Sequence, residues 1–251
     1  EYEVIVVNDG ADPAITSLCN DYGVQVISHK PNRGSYYARN RGVEKSRGEF
    51  LAFVDADIKV PVDWLEKGVK ALREYDYVAG DIKIDETKVK TLTNYYELKT
   101  AFPVRDFFLG GHYGPTANVF VRRRVFEEIG GFDERLQSGG DREFGERIFR
   151  FTSFKQAFLK NIVVLHPPRD YKALVKKFNR IYNGYNDMVR LYPERFRLPK
   201  IRFLDLLKEF FSPPINVIRD KSYPFSYIRI CLFYWWIKNV KTYKKMRCMR
   251  G

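Results

Sequence analysis

Gly48-Glu49-Phe50-Leu51-Ala52-Phe53-Val54-Asp55-Ala56-Asp57 is the stretch whose reading decides the fold. The apolar run Phe50 to Val54 has the length and the aromatic and β-branched content of a buried strand. It stops abruptly in two carboxylates spaced i, i+2. Open α/β sheets bind ligands beyond the carboxyl ends of their strands. If strand geometry persists through Asp57, then Asp55 and Asp57 point to the same side. Two like charges there repel unless a cation joins them, and an all-oxygen pair suits Mg²⁺ or Mn²⁺. Such a cation could bridge to a diphosphate that bare carboxylates would repel. The same Asp-Ala-Asp also suits a turn that starts and caps the next helix, so its neighbours must decide.

Working outward, strands and helices alternate. Glu3 to Val7 reads as a strand closed by the turn Asn8-Asp9-Gly10, Ala14 to Tyr22 as a helix and Val24 to Ser28 as a strand. Ser35 to Ser46 reads as a helix after the turn Pro31-Asn32-Arg33-Gly34. Downstream, Pro61-Val62-Asp63 opens a helix carrying Trp64, Leu65, Val69 and Leu72 at helical spacing. Tyr77 to Ile84 is strand-like and Thr87 to Phe102 helical; Ala117 to Val121 is a strand and Arg123 to Ile129 a short helix. A helix is expected from Asp141 to Phe151 and a strand within Phe158 to Leu165, closed by His166-Pro167-Pro168. A carboxylate at a helix start is favoured by the macrodipole and the free amides. The alternation predicts an α/β fold with a mostly parallel sheet covered on both faces.

From Tyr171 the pattern changes. Tyr171 to Leu191 is a basic helix with a broad apolar stripe, Ile201 to Phe211 a second, and Phe225 to Val240 is dense in aromatics, with a Lys/Arg cluster from Lys238 to Arg250. Charge follows the same division. The formal net charge is +13, yet residues 1–150 hold 22 basic and 25 acidic side chains, so the whole excess sits beyond them. A basic tract calls for an anionic partner: phosphorylated substrate, anionic lipid or nucleic acid. The three cysteines Cys19, Cys231 and Cys248 have no metal-ligand or disulfide-framework spacing and read as thiols of a reducing compartment. No secretory signal is visible, and no uncharged run reaches the roughly 18 residues of a membrane span. The aromatic, basic tail instead suits the headgroup layer of a membrane. We therefore expect a catalytic domain over 1–170, a helical extension over 171–251, and a cytoplasmic protein lying on the cytoplasmic face of a membrane.

Over about residues 1–190 the chain resembles the family 2 glycosyltransferases of GT-A fold, in motifs that follow the family's order. Val6-Val7-Asn8-Asp9-Gly10 is similar to V-V-D-D-G, and the resemblance implies that Asp9 holds the base of a nucleotide sugar. Asn32-Arg33-Gly34 with Ala38-Arg39-Asn40-Arg41-Gly42 is similar to N-x-G…A-R-N-x-G, which implies Arg39 near the nucleotide. Phe53 to Asp57 matches F-x-D-x-D, Gly130-Gly131-Phe132-Asp133-Glu134 matches the acceptor-side G-G-F-D-E, and Gly140-Asp141-Arg142-Glu143-Phe144 is similar to E-D-x-D-L. The implied roles are Asp141 as catalytic base with Glu143 as second candidate, Asp57 as the direct ligand of Mg²⁺ or Mn²⁺, Asp55 on ribose or a metal-bound water, and His166 completing the coordination. His166, a lone histidine at a strand end, suits a structural role equally. Asp133 and Glu134 also suit a turn and cap.

The departures carry expectations of their own. The family's glutamate before the base is Gly140, which puts its role in doubt here. No Gln-x-x-Arg-Trp occurs, so a single addition is expected rather than processive synthesis. The resemblance starts at the family's second strand, so the sequence is expected to lack the first strand and helix. The leading expectation is an inverting, metal-dependent transfer of a sugar from a nucleotide diphosphate, UDP above all, to a hydroxyl on a lipid-linked or growing glycan acceptor. The alternatives are a nucleic-acid-binding protein acting through its basic tail and an inactive scaffold. The tail contains no nucleic-acid motif, so no nucleic-acid partner is expected.

Overall fold

The computed structural model describes residues 1–197. The expected helix from Ile201 and the aromatic, basic tract from Phe225 lie outside the described residues. In chain order the elements are β1 (Ile5–Asp9), α1 (Pro13–Asp21), β2 (Gln25–His29), α2 (Ser35–Lys45), β3 (Phe50–Phe53), α3 (Trp64–Ala71), β4 (Tyr77–Ile84) and α4 (Leu92–Thr100). They continue as α5 (Val104–Gly111), β5 (Val119–Arg122), α6 (Arg123–Ile129), α7 (Gly140–Phe151), β6 (Gln156–His166) and α8 (Tyr171–Leu191). The described residues divide into two compact units: Glu1–Ile82 with Pro103–Val164, and Lys83–Phe102 with the described residues from Leu165 on. A division of the sequence at residue 170 does not separate out residues 83–102. The reason is visible inside the second unit, where Tyr96 of α4 clusters with Leu174, Phe178 and Tyr182 of α8.

In the first unit, β1 and β2 pair in parallel, from Ile5 opposite Gln25 to Asp9 opposite His29. Asp12 caps α1 by accepting from the Ala14 amide at 2.9 Å, and Pro13 opens the helix, where its missing N–H costs nothing. The other sheet has four strands in the order β3-β5-β4-β6. Here the expectation of a mostly parallel sheet is corrected: β5 runs antiparallel to both β3 and β4. The connection from β4 through α4 and α5 brings the chain back into the sheet at the end where β4 left it. Alternation of strands and helices in the sequence does not reveal that reversal.

The sheet's core is consecutive rather than alternating. Tyr77, Val78 and Ala79 of β4 and Val119, Phe120 and Val121 of β5 are all buried, as in strands covered on both faces. Trp64 packs on Phe120 with ring centroids 4.8 Å apart. Its indole N–H donates to the side-chain carbonyl of fully buried Asn118 at 2.9 Å. The Asn118 amide in turn donates to the carbonyls of Asp81 at 2.8 Å and Ile162 at 2.9 Å, so one side chain satisfies buried groups beside β4 and β6. This core sets the position of the β3 carboxyl end, which carries the chemistry.

The second unit holds a buried charge network. Glu97 of α4, only 1 % exposed, accepts from the Arg169 amide at 2.5 Å and its guanidinium at 2.9 Å, with Lys177 of α8 3.6 Å away. Asp170 caps α8 through the Ala173 amide at 2.7 Å. No helix among the described residues is long and apolar enough to cross a membrane.

Candidate active site

The strand β3 ends at Phe53, two residues short of Asp55, and the chain turns there: the Ile58 amide donates to the Asp55 carbonyl at 3.1 Å. Strand geometry therefore does not run through Asp57. The turn leaves Asp55 half-buried and Asp57 exposed. From α2, Arg39 reaches the Asp55 carboxylate with its guanidinium 2.6 Å from Oδ1. Asp141, in the first turn of α7, stands close enough to feel both charges. Its Oδ1 accepts from the Thr116 hydroxyl at 3.1 Å, and the Tyr36 hydroxyl lies 3.4 Å from its amide nitrogen. Three residues far apart in sequence thus meet beyond the carboxyl end of β3.

Electrostatics separate Asp141 from an ordinary surface carboxylate. Burial pushes its pKa above the usual range; the Arg39 guanidinium opposes the rise, the Asp55 charge adds to it, and hydrogen bonds from Thr116 and Tyr36 oppose it again. A carboxylate whose pKa is raised holds a proton more tightly than a solvated one, and so is the stronger base. Burial, reinforced by the Asp141 charge, also keeps the Tyr36 phenol protonated. Tyr113 nearby is pushed up to about 12 by burial. Thr116 and Tyr36 are site residues that sequence reasoning missed. Tyr36 carried a signal: it precedes Arg39 by three residues and so shares its helix face.

Asp9 sits at the end of β1 and closes the turn after β2. Its two oxygens accept from the amides of Arg33 at 2.8 Å and Gly34 at 2.7 Å, and its carbonyl accepts from Asn32 Nδ2 at 2.7 Å. His29 Nδ1 lies 3.4 Å from Oδ1. The residue before it, Asn8, is buried and turned the other way, where its amide donates to the Asp12 carbonyl at 2.7 Å and to Thr16 at 3.1 Å.

The Gly130 to Glu134 segment is held by Asn40. The Asn40 side chain accepts from the Phe132 amide at 2.9 Å and donates to the Phe132 carbonyl and to Glu134, each at 2.9 Å. Gly131 is required at this contact, since a Cβ there would come within 2.5 Å of Asn40 Oδ1. Asp133 pairs with Arg135 at 2.8 Å. Glu143, 1 % exposed, faces Arg147 with its two oxygens at 3.0 and 2.9 Å. The same guanidinium donates to the carbonyls of Ile129 and of Gly131, the latter at 2.7 Å. The Glu143 carboxylate is thus the keystone of a loop brace.

Among the described residues, no group of three or more histidine, cysteine, aspartate or glutamate side chains converges as a metal cage. Asp55 and Asp57 offer oxygen donors of the kind a hard divalent cation takes. His166 belongs to the second unit. There its Nδ1 is 2.5 Å from the Pro167 carbonyl, its Nε2 is 2.5 Å from the Arg169 guanidinium, and its ring packs on Phe102 at 5.0 Å.

Known proteins point the same way. The chain is 29 % identical over 191 residues to glycosyltransferase AglE of Haloferax volcanii, a match that covers 73 % of this chain and 62 % of AglE, so it spans less than two thirds of that relative. It is 26 % identical over 254 residues to the glucosyl-dolichyl phosphate glucuronosyltransferase of the same organism, covering 88 % of this chain and 78 % of that protein. Likeness of fold extends to the mannosyltransferase PcManGT of Pyrobaculum calidifontis, solved with GDP-Man and Mn²⁺, with TM-score 0.55 and 16 % identity over 98 % of this chain and 76 % of that one. It extends also to S. aureus TarS, solved with UDP, with TM-score 0.51 and 15 % identity over 97 % of this chain and 80 % of that one. The model of glycosyl transferase family 2 matches residues 1–130, just over half of the sequence, in the region that carries Asp9, Arg39, Asp55 and Asp57, and the chain belongs to that family.

Proposed function

We propose that the protein transfers a sugar from a nucleotide-diphosphate donor, UDP-linked, to an acceptor hydroxyl in one inverting step. The observation that carries this reading is the meeting of Arg39, Asp55 and Asp141 beyond β3. Asp141 takes the proton of the acceptor hydroxyl as its oxygen attacks the anomeric carbon. The bond from that carbon to the diphosphate breaks on the opposite face, and the nucleoside diphosphate leaves with the electron pair. Glu143 is not assigned this role, because Arg147 engages its carboxylate. Arg39 holds Asp55 oriented beside the donor. Asp9 retains acceptor capacity for a base N–H beyond its two loop bonds, since each carboxylate oxygen accepts more than one.

Asp57 and Asp55 would hold Mg²⁺ or Mn²⁺, which neutralises charge on a departing diphosphate. His166 is left out of this set because Pro167 and Arg169 engage its ring nitrogens. UDP is supported by the TarS complexes with UDP and with UDP-GlcNAc, and a divalent ion by the Mn²⁺ complex of PcManGT. A lipid-linked acceptor is supported by the relative that is named for acting on glucosyl-dolichyl phosphate. On that reading the basic tail lies on an anionic membrane surface. Flotation with anionic and neutral liposomes tests it: the whole chain should float with anionic liposomes only, and a chain ending at Pro214 should not.

Mass spectrometry of UDP- and GDP-sugars incubated with the protein and Mn²⁺ tests the activity itself. The expected result is release of free nucleotide from a UDP-sugar, lost in Asp141→Asn. Nucleotide binding without release from any donor, with or without glycan and lipid-linked acceptors, would favour an inactive scaffold.

A further inference from the structure

The residue before Asp141 is a glycine where the family places glutamate, and the structure shows what fills the space. A Cβ on Gly140 would lie 2.7 Å from Cε2 and Cζ of Tyr36, inside the ring's contact distance. The ring is fixed from the other directions. Tyr36 is 4 % exposed, its ring lies 5.8 Å from that of Phe132 at 30°, and the Arg39 guanidinium stands 5.6 Å from its centroid. The one polar atom of this buried ring is aimed at Asp141: the Asp141 amide donates to the hydroxyl oxygen at 3.4 Å, and the hydroxyl stands near enough to the carboxylate to oppose the rise in its pKa. With Thr116 on Oδ1 at 3.1 Å, the carboxylate is held from two elements, α2 and the segment before β5.

We infer that Tyr36 is the positioning residue of the catalytic carboxylate, and that Gly140 is glycine because the tyrosine ring occupies the volume of the side chain it lacks. The inference rests on Asp141 as the base. A buried hydroxyl that fixes one rotamer of a base shortens the search for the attacking geometry, and small misplacements of reacting groups are costly. Tyr36 and Gly140 therefore form one unit across α2 and α7: neither the tyrosine without the glycine nor a glutamate with the tyrosine fits.

Turnover is read as nucleotide release from the UDP- or GDP-sugar that the wild-type protein consumes fastest. Tyr36→Phe keeps the ring and removes only the hydroxyl. We expect kcat to fall roughly tenfold with KM for the donor and the melting temperature unchanged, the signature of a group acting on the transition state alone. In the Asp141→Asn background the same change should have little further effect, because residues acting as a unit are non-additive. Gly140→Glu should lose turnover through the clash, and pairing it with Tyr36→Ser should recover part of it. That second pair decides the matter if Tyr36→Phe folds poorly. Unchanged kcat in Tyr36→Phe, an undiminished effect of that change in the Asp141→Asn background, or a fully active Gly140→Glu would overturn the inference. Wild-type turnover in Asp141→Asn would instead remove the base assignment, a failure distinguishable from that of the tyrosine.

Discussion

Asp141 and Glu143 sit two residues apart in the first turn of α7, in opposite surroundings. Asp141 lies among partners of both signs: burial raises its pKa, Arg39 lowers it, Asp55 raises it, and Thr116 and Tyr36 lie against it and lower it. Glu143, 1 % exposed, faces the Arg147 guanidinium, which is itself tied to the carbonyls of Ile129 and Gly131. The first arrangement leaves proton affinity unsettled between opposing terms, as acid–base work requires. The second ties a carboxylate into a loop brace through Arg147. Two acidic side chains on one helix turn are thus distinguished by their partners, not by their place in the sequence.

The largest expected effects break the comparison directly. Glu143→Ala leaves Arg147 without its buried counterion and should lower stability by about 3 kcal/mol, read by urea unfolding. Asp141→Asn should instead keep the fold and lower turnover roughly a hundredfold or more, the scale of a lost general base, with donor affinity unchanged. A stable Glu143→Ala with turnover lost would invert the two roles. Next in size, Asp57→Asn should abolish Mn²⁺-dependent UDP binding in calorimetry while leaving the melting temperature in place, because Asp57 is exposed in a turn. Unchanged affinity would remove Asp57 from the metal set.

A smaller effect probes the loop brace. Asn40→Ala strands the Phe132 amide and carbonyl and should cost about 1–3 kcal/mol, with UDP affinity unaltered. A loss of UDP affinity without a loss of stability would move Asn40 from the loop brace to the donor site. The smallest effect concerns pH and has a definite sign. Asp141 has a folded pKa above its unfolded value, so the folded state binds the proton more tightly and ionisation costs stability. That cost is absent below an unfolded carboxyl pKa of about 4 and is complete once pH exceeds the folded pKa. Asp141→Asn should thus melt higher than wild type at neutral pH, with the difference vanishing in acid. A gain that persists in acid would show that the carboxyl's titration is not its source.

The local chemistry was legible from the residues. Phe50 to Val54 declared a strand leading to the carboxylates; its observed end is one residue earlier, at Phe53, and the expectation that it is buried holds for Leu51 only, with Ala52 and Val54 exposed. The helix Tyr171–Leu191 and the strand Tyr77–Ile84 fall where their periodicity places them, because amphipathic spacing and buried apolar runs are properties of short segments. The motif order was enough to suggest the family. Three things were decided only by tertiary structure. The direction of β5 depends on the end of the sheet at which the chain returns after α5. The role of Glu143 depends on Arg147, one helical turn later, and on two loop carbonyls that no motif names. The partnership of Tyr36 with Gly140 and Asp141 joins residues more than a hundred positions apart. Each is a contact between segments, and a linear sequence encodes such contacts only through the packing that brings the segments together.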